Sequence, residues 1–82
     1  MNVETLTSAN TIELYISPTC PYCAEARAFY DARKIPYTAH DTQNDPALRK
    51  RMFAYTSDVA TVPAIVVDGK YVQSGWGKPP RG

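Results

Sequence analysis

The chain has little to build a metal centre or a membrane anchor from. Two cysteines and one histidine are its whole stock of soft ligands in 82 residues, and a structural zinc site takes about four. Charge is nearly balanced, nine Lys and Arg against eight Asp and Glu, for a net charge of +1. No field of one sign is on offer, so nucleic acid is not an expected partner. No apolar run approaches the roughly 20 residues needed to cross a bilayer. Residues 1–10 carry no Lys or Arg and no apolar block, so neither a secretory leader nor a transit peptide is expected. A cytoplasmic protein, monomeric and without a membrane partner, is the expectation. Residues 1–82 are expected to form one domain, near the lower limit of what folds alone.

What is present reads as alternating strands and helices. Ile12, Leu14 and Ile16 alternate with Glu13 and Tyr15, which predicts a strand, and Tyr15 on its second face predicts burial on both sides. A helical run over 24–34 follows, with Pro21 suited to the first turn and Arg33 and Lys34 suited to the negative dipole end. Pro36 stops it. Residues 37–40 read as a short strand with His40 at the surface. Asp45-Pro46 is an N-cap followed by a first-turn proline, and Leu48, Met52 and Tyr55 form one stripe of the second helix. Arg49, Lys50 and Arg51 lie on its solvated side. Residues 64–67 are β-branched and strand-like. Asp68-Gly69 is a hairpin turn, and residues 70–73 return as the partner strand. The order is β-α-β-α-β-β, an α/β class chain with a parallel βαβ unit and a closing hairpin. Residues 1–10 are polar and expected to be loosely held. Residues 76–82, rich in Gly and Pro, are expected to be irregular.

The only cysteines stand in Cys20-Pro21-Tyr22-Cys23, between the first strand and the first helix. A Cys-x-x-Cys in that position reads as a thioredoxin-like redox site. Thiol–disulfide exchange needs one thiol to attack and a second within reach to resolve the mixed disulfide. Cys20 at the helix start meets free backbone N–H groups and the positive dipole end, which favour negative charge on its sulfur. Cys23 falls one turn on, toward the core. Cys20 is therefore the candidate nucleophile and Cys23 the resolving thiol. Half a zinc site with His40, a pair of inert core cysteines and a permanent disulfide are the competing readings. Each is weaker for a cysteine pair flanked by Pro and Tyr at a strand–helix junction in a reducing compartment.

Cys20-Pro21-Tyr22-Cys23 followed about forty residues on by Thr61-Val62-Pro63 resembles the glutaredoxins of the thioredoxin superfamily, over residues 12–75. The resemblance implies a thiol–disulfide oxidoreductase, with glutathione as co-substrate and no bound cofactor or metal. It implies a cis bond before Pro63. It implies that Thr61, Val62 and Pro63 face the cysteines, with Val62 pairing its backbone to substrate, and that Tyr22 and Gly75 also contact substrate. Departures from the family pattern accompany these matches. Ser17 stands where many glutaredoxins have a Lys, and Ser74-Gly75-Trp76-Gly77-Lys78 lacks the acids that hold the γ-glutamyl end of glutathione. The family's last helix is short or absent, with Trp76 expected as a local lid. Ser74-Gly75-Trp76 is similar to the tail of NrdH-type redoxins, which are reduced by thioredoxin reductase and serve ribonucleotide reductase. Those proteins are the first alternative. A dimer bridged by an iron–sulfur cluster through Cys20 and external thiols is the alternative from another class.

Overall fold

Alternation at Ile12, Leu14 and Ile16 yields the first strand in the computed structural model, which describes residues 2–82. β1 (Ile12–Ile16) is followed by α1 (Pro21–Ala32), β2 (Thr38–Asp41), α2 (Pro46–Thr56), β3 (Ala64–Val67) and β4 (Lys70–Ser74). The strands form one sheet in the order β2-β1-β3-β4. β2 is parallel to β1, whereas β3 is antiparallel to both β1 and β4. This is the α/β mixed sheet expected from the element order, of the thioredoxin-like kind that the resemblance implied.

Side chains alternate across a strand, so the sheet has two buried faces. Ile12, Leu14, Ile16, Ile65 and Val67 share one face with Cys23, Ala26 and Tyr30 of α1. Tyr15, Ala64 and Val66 share the other with Met52 of α2. Tyr15 is fully buried and stacks on His40 with ring centroids 4.7 Å apart. His40 is thus half-buried rather than at the surface, with Nε2 3.1 Å from Glu13 Oε1. Arg49, Lys50 and Arg51 are all exposed.

Local chemistry sets the element ends. Pro21 occupies the first turn of α1, so the helix starts three residues before the 24–34 run. The backbone turns left-handed at Lys34, with φ 55°, and Ile35 N–H donates back to the Tyr30 carbonyl at 3.0 Å. Together these close the helix as a Schellman-type cap. In α2, Asp45 Oδ1 accepts from Ala47 N–H at 3.0 Å and Leu48 N–H at 3.3 Å, the expected cap. Asp68 and Gly69 take φ 52° and 80° in the hairpin. β2 sits one residue later than the 37–40 reading.

The N-terminal segment differs from its expectation. Residues 2–11 are not loosely held: Val3 and Leu6 are 4% and 6% exposed and join the α1-side core. The buried Tyr30 hydroxyl donates to the Val3 carbonyl at 2.7 Å. Two apolar residues in a polar segment find a sheet face that no helix after β4 covers among the described residues. Trp76 covers the rest of that face. It is 9% exposed and packs edge-on against Phe29 at 5.2 Å and Tyr30 at 5.7 Å, the local lid that was expected. The tail is less irregular than predicted. Trp76 and Arg81 form an antiparallel bridge, with N–H···O bonds of 2.8 and 2.9 Å.

Burial of this kind carries a stability cost when removed. Leu6→Ala is expected to lower the unfolding free energy by about 2–3 kcal/mol, as for other buried leucines. Ser8→Ala, at an exposed position, is expected to lower it by less than about 0.5 kcal/mol. Urea titration of both variants measures the difference.

Candidate active site

The register of β1 on β3 brings the two motifs together. Tyr15 lies opposite Ala64, so the loop leaving β1 and the loop entering β3 meet at one end of the sheet. The first carries Ser17 to Cys20 and the second Thr61 to Pro63. Cys20 Sγ–H is directed at the Val62 carbonyl oxygen, 3.8 Å away. The Val62–Pro63 peptide bond is cis, as the resemblance implied. Pro63 is buried, and its carbonyl accepts from Gly75 N–H at 2.8 Å. The Thr61–Val62–Pro63 turn is therefore held between Cys20 on one side and Gly75 on the other. Gly75 takes φ 89°, and a Cβ there would stand 2.8 Å from the Arg81 nitrogen. Only glycine fits the bend that turns the chain from β4 into the Trp76–Arg81 ribbon.

Cys20 is the N-cap of α1. Its extended backbone (φ −87°, ψ 119°) directs the chain into the helix, and its N–H donates to the Ser17 carbonyl at 3.2 Å. Pro21 has no N–H, and those of Tyr22 and Cys23 have no carbonyl a turn earlier to bond. Cys20 is half-buried, Cys23 only 1% exposed. Burial, with a smaller contribution from neighbouring Cys20, pushes the Cys23 thiol up to about 12. Two cysteines three positions apart thus occupy opposite environments: one at the mouth of the helix, one under it.

Of the residues singled out in the sequence, Cys20, Cys23, Val62, Pro63 and Gly75 converge on this end of the sheet. Thr61 and Tyr22 are half-buried, and Tyr22 packs on the α1-side core. His40 pairs with Glu13 and Tyr15 instead of joining the cysteines.

Sequence reasoning missed Gln43 and the end of the tail. Gln43 Oε1 accepts from the Ser17 hydroxyl and from Thr19 Oγ1, the latter at 3.0 Å. The loop before Cys20 is thereby tied to the loop before α2. An Asp41 Oδ1 turn that accepts from Gln43 and Asn44 N–H at 2.9 and 3.1 Å sets Gln43 in place. The polar run Asp41-Thr42-Gln43-Asn44 signals that turn but not the partner it reaches. At the tail, Gly82 lies against the Val62 carbonyl oxygen so closely that a Cβ would overlap it.

Comparison with known proteins follows the same geometry. The glutaredoxin family pattern matches residues 12–72. The chain belongs to the glutaredoxin family. Glutaredoxin 3 of Escherichia coli K12 is 30% identical over 61 residues, 74% of this chain and 72% of that protein. Glutaredoxin 1 of Rickettsia prowazekii is 33% identical over 64 residues, 77% of this chain and 67% of that protein. The global transcriptional regulator Spx of Streptococcus pneumoniae R6 is 34% identical over 41 residues. That match takes in half of this chain but only 31% of the regulator's length. Among solved structures, the thioredoxin-like protein BC3987 superposes with a TM-score of 0.71 at 32% identity, covering 84% of this chain and 92% of that one. A buckwheat glutaredoxin in complex with glutathione shares the fold, with a TM-score of 0.67 at 19% identity, covering 87% and 66%.

The contrast between this glutaredoxin's two cysteines has measurable consequences. In Cys20→Ser at pH 8, the remaining Cys23 is expected to react with iodoacetamide at least about tenfold more slowly than a free cysteine, because burial keeps its proton on. Denaturing the variant restores the ordinary rate. Stability also changes with pH. The native Cys23 thiol keeps its proton to about 12, whereas the unfolded one loses it near 9. Its contribution is full below about pH 9 and is lost as pH rises toward 12. Tyr30, also raised to about 12 by burial from 10, steepens the fall above pH 10. Urea midpoints of wild type and Cys23→Ala are expected to converge from pH 9 upward.

Proposed function

We propose that this chain is a dithiol disulfide reductase in which Cys20 attacks and Cys23 resolves. The observation that carries the reading is the Cys20 sulfur at the mouth of α1, 3.8 Å from the Val62 carbonyl beside Pro63, with Cys23 one turn deeper. The Cys20 thiolate attacks one sulfur of a substrate disulfide. The other sulfur leaves as a thiolate and takes up a proton. Cys23 gives up its proton, attacks Cys20 Sγ in the mixed disulfide, and releases the second substrate thiol. The products are two thiols and a Cys20–Cys23 disulfide, so two electrons have moved to the substrate. Two external thiols return the protein to its dithiol form and leave as one disulfide. The high affinity of Cys23 for its proton suits a thiol that stays silent until its neighbour is in a mixed disulfide.

Glutathione is the co-substrate this reading favours, supported by family membership and by the buckwheat relative solved with glutathione. Thr61, Val62 and Pro63 would present backbone to it as an added strand, with Tyr22 and Gly75 beside them. Two charged grips are missing, since Ser17 replaces a Lys and Ser74–Lys78 contains no acid. Charge-assisted hydrogen bonds are the stronger kind, so glutathione is held weakly. That weakness, together with Ser74-Gly75-Trp76, supports a second reading: an NrdH-like donor recycled by thioredoxin reductase and serving ribonucleotide reductase. A bridged iron–sulfur dimer would have to draw on external thiols, because no three His, Cys, Asp or Glu side chains gather among the described residues.

Cys20→Ser is expected to abolish disulfide reduction; turnover that persists in this variant overturns the assignment. Cys23→Ser is expected to accumulate a stable mixed disulfide on Cys20, visible by mass spectrometry. Glutathione with glutathione reductase is expected to recycle the oxidised protein, but with a KM at least about tenfold above that of Escherichia coli glutaredoxin 3, given the worth of a charged hydrogen bond. Recycling by thioredoxin reductase alone transfers the assignment to the second reading.

A further inference from the structure

The tail does more than close the core. Residues 76–82 form a ribbon, pinned at one end by buried Trp76 and folded back by the Trp76–Arg81 bridge. The fold is tight: a Cβ on Gly75 would meet the Arg81 nitrogen at 2.8 Å and the Pro80 carbonyl carbon at 3.0 Å. The ribbon delivers Gly82 to the turn that faces Cys20. A Cβ on Gly82 would overlap the Val62 carbonyl oxygen, stand 2.5 Å from the Thr61 methyl carbon and 3.0 Å from the Val62 carbonyl carbon. A carbonyl oxygen has two lone pairs. Here Cys20 Sγ–H takes one side of the Val62 oxygen, and the Gly82 backbone covers another approach to it.

We infer that residues 76–82 are a strap that occupies the Val62 edge and must lift before an extended substrate seats there. The inference rests on the redox reading above, in which Val62 pairs its backbone with substrate. The strap is built to lift. Beyond Trp76 every residue is exposed, and low burial is the mark of segments that open locally. The ion pair at its base, Lys78 Nζ to Glu4 Oε2 at 3.8 Å, joins a lysine side chain 76% exposed and holds little. The strap therefore discriminates between substrates. A disulfide within a peptide backbone competes with Gly82 for the Val62 edge, whereas a small disulfide without peptide groups reaches Cys20 with the strap in place.

The test is single-turnover reduction by the reduced full chain of two disulfides: oxidised glutathione, and bis(2-hydroxyethyl) disulfide without glutathione present. Wild type is compared with Gly82→Ala and Gly82→Val, whose added carbons have no room in the seated strap. Apparent affinity scales with the fraction of molecules in the competent state. Both variants are expected to reduce oxidised glutathione at least about threefold faster, and the small disulfide at the wild-type rate within about twofold. Circular dichroism and urea midpoints confirm that the variants fold as wild type does. No gain with oxidised glutathione, a loss, or an equal gain with both disulfides overturns the strap and leaves the redox reading standing. Failure of wild type to reduce even the small disulfide overturns the redox reading, and the strap with it.

Discussion

Antiparallel pairing of β1 with β3 is the constraint from which the working end of the molecule follows. With Tyr15 opposite Ala64 and Leu14 opposite Ile65, the end of one strand meets the beginning of the other. The residues just beyond them, Cys20 and Val62, are 42 positions apart in the chain yet within contact distance. The register has no freedom to slip. Moving β1 by one residue would turn Tyr15 toward α1 and Leu14 toward α2, reversing both buried faces at once. Because both faces are covered, the packing of Met52 under Tyr15 and of Tyr30 under Leu14 is what holds Cys20 against the Val62 carbonyl. The chemistry is local, but its geometry is a property of the whole sheet.

The contrast in burial between the cysteines comes from helix geometry acting on that frame. Three residues of α-helix turn the chain through about 300° and advance it by about 4.5 Å. Cys20, as N-cap, stays at the rim. Cys23 rotates to the side that Ala26 and Tyr30 also occupy, against the sheet. A spacing of two or four would have sent the second thiol toward solvent or the flank, where burial could not hold its proton. Gln43, accepting from Ser17 and Thr19, then fixes the approach to the rim with neutral hydrogen bonds.

How much of this was legible in the chain depends on the range of the interaction. Asp45-Pro46 and Asp68-Gly69 act on backbone two or three residues away, and both behave as read. Cys20 with Cys23, and Thr61-Val62-Pro63, are motifs whose meeting follows once the element order is known. Val3 and Leu6 carry no periodic signal, because they lie in no helix or strand. What buries them is the α1-side face around Tyr30, remote in sequence. Gln43 likewise has its local turn written in Asp41, while its partners lie 24 and 26 residues earlier. His40 looked solvent-facing by strand polarity. Its burial comes from the Tyr15 ring across the β1–β2 pair, a neighbour supplied by parallel register.

The core is tied to the Val62 edge through the tail. Val3, Leu6 and Trp76 converge on Tyr30, whose hydroxyl bonds the Val3 carbonyl. Beside them an open cleft of about 430 Å³ lies between Asn2, Val3 and Glu4 on one side and Gln73, Gly77, Lys78 and Pro80 on the other. Their arrangement also dictates where the tail goes. Trp76 must point inward to cover Tyr30, so the chain after it must turn outward and back. The Gly75 bend and the Trp76–Arg81 bridge carry it toward Val62. The buried indole thus brings the tail to the Val62 turn, so residues that complete the core on one side lie against the turn that faces Cys20 on the other.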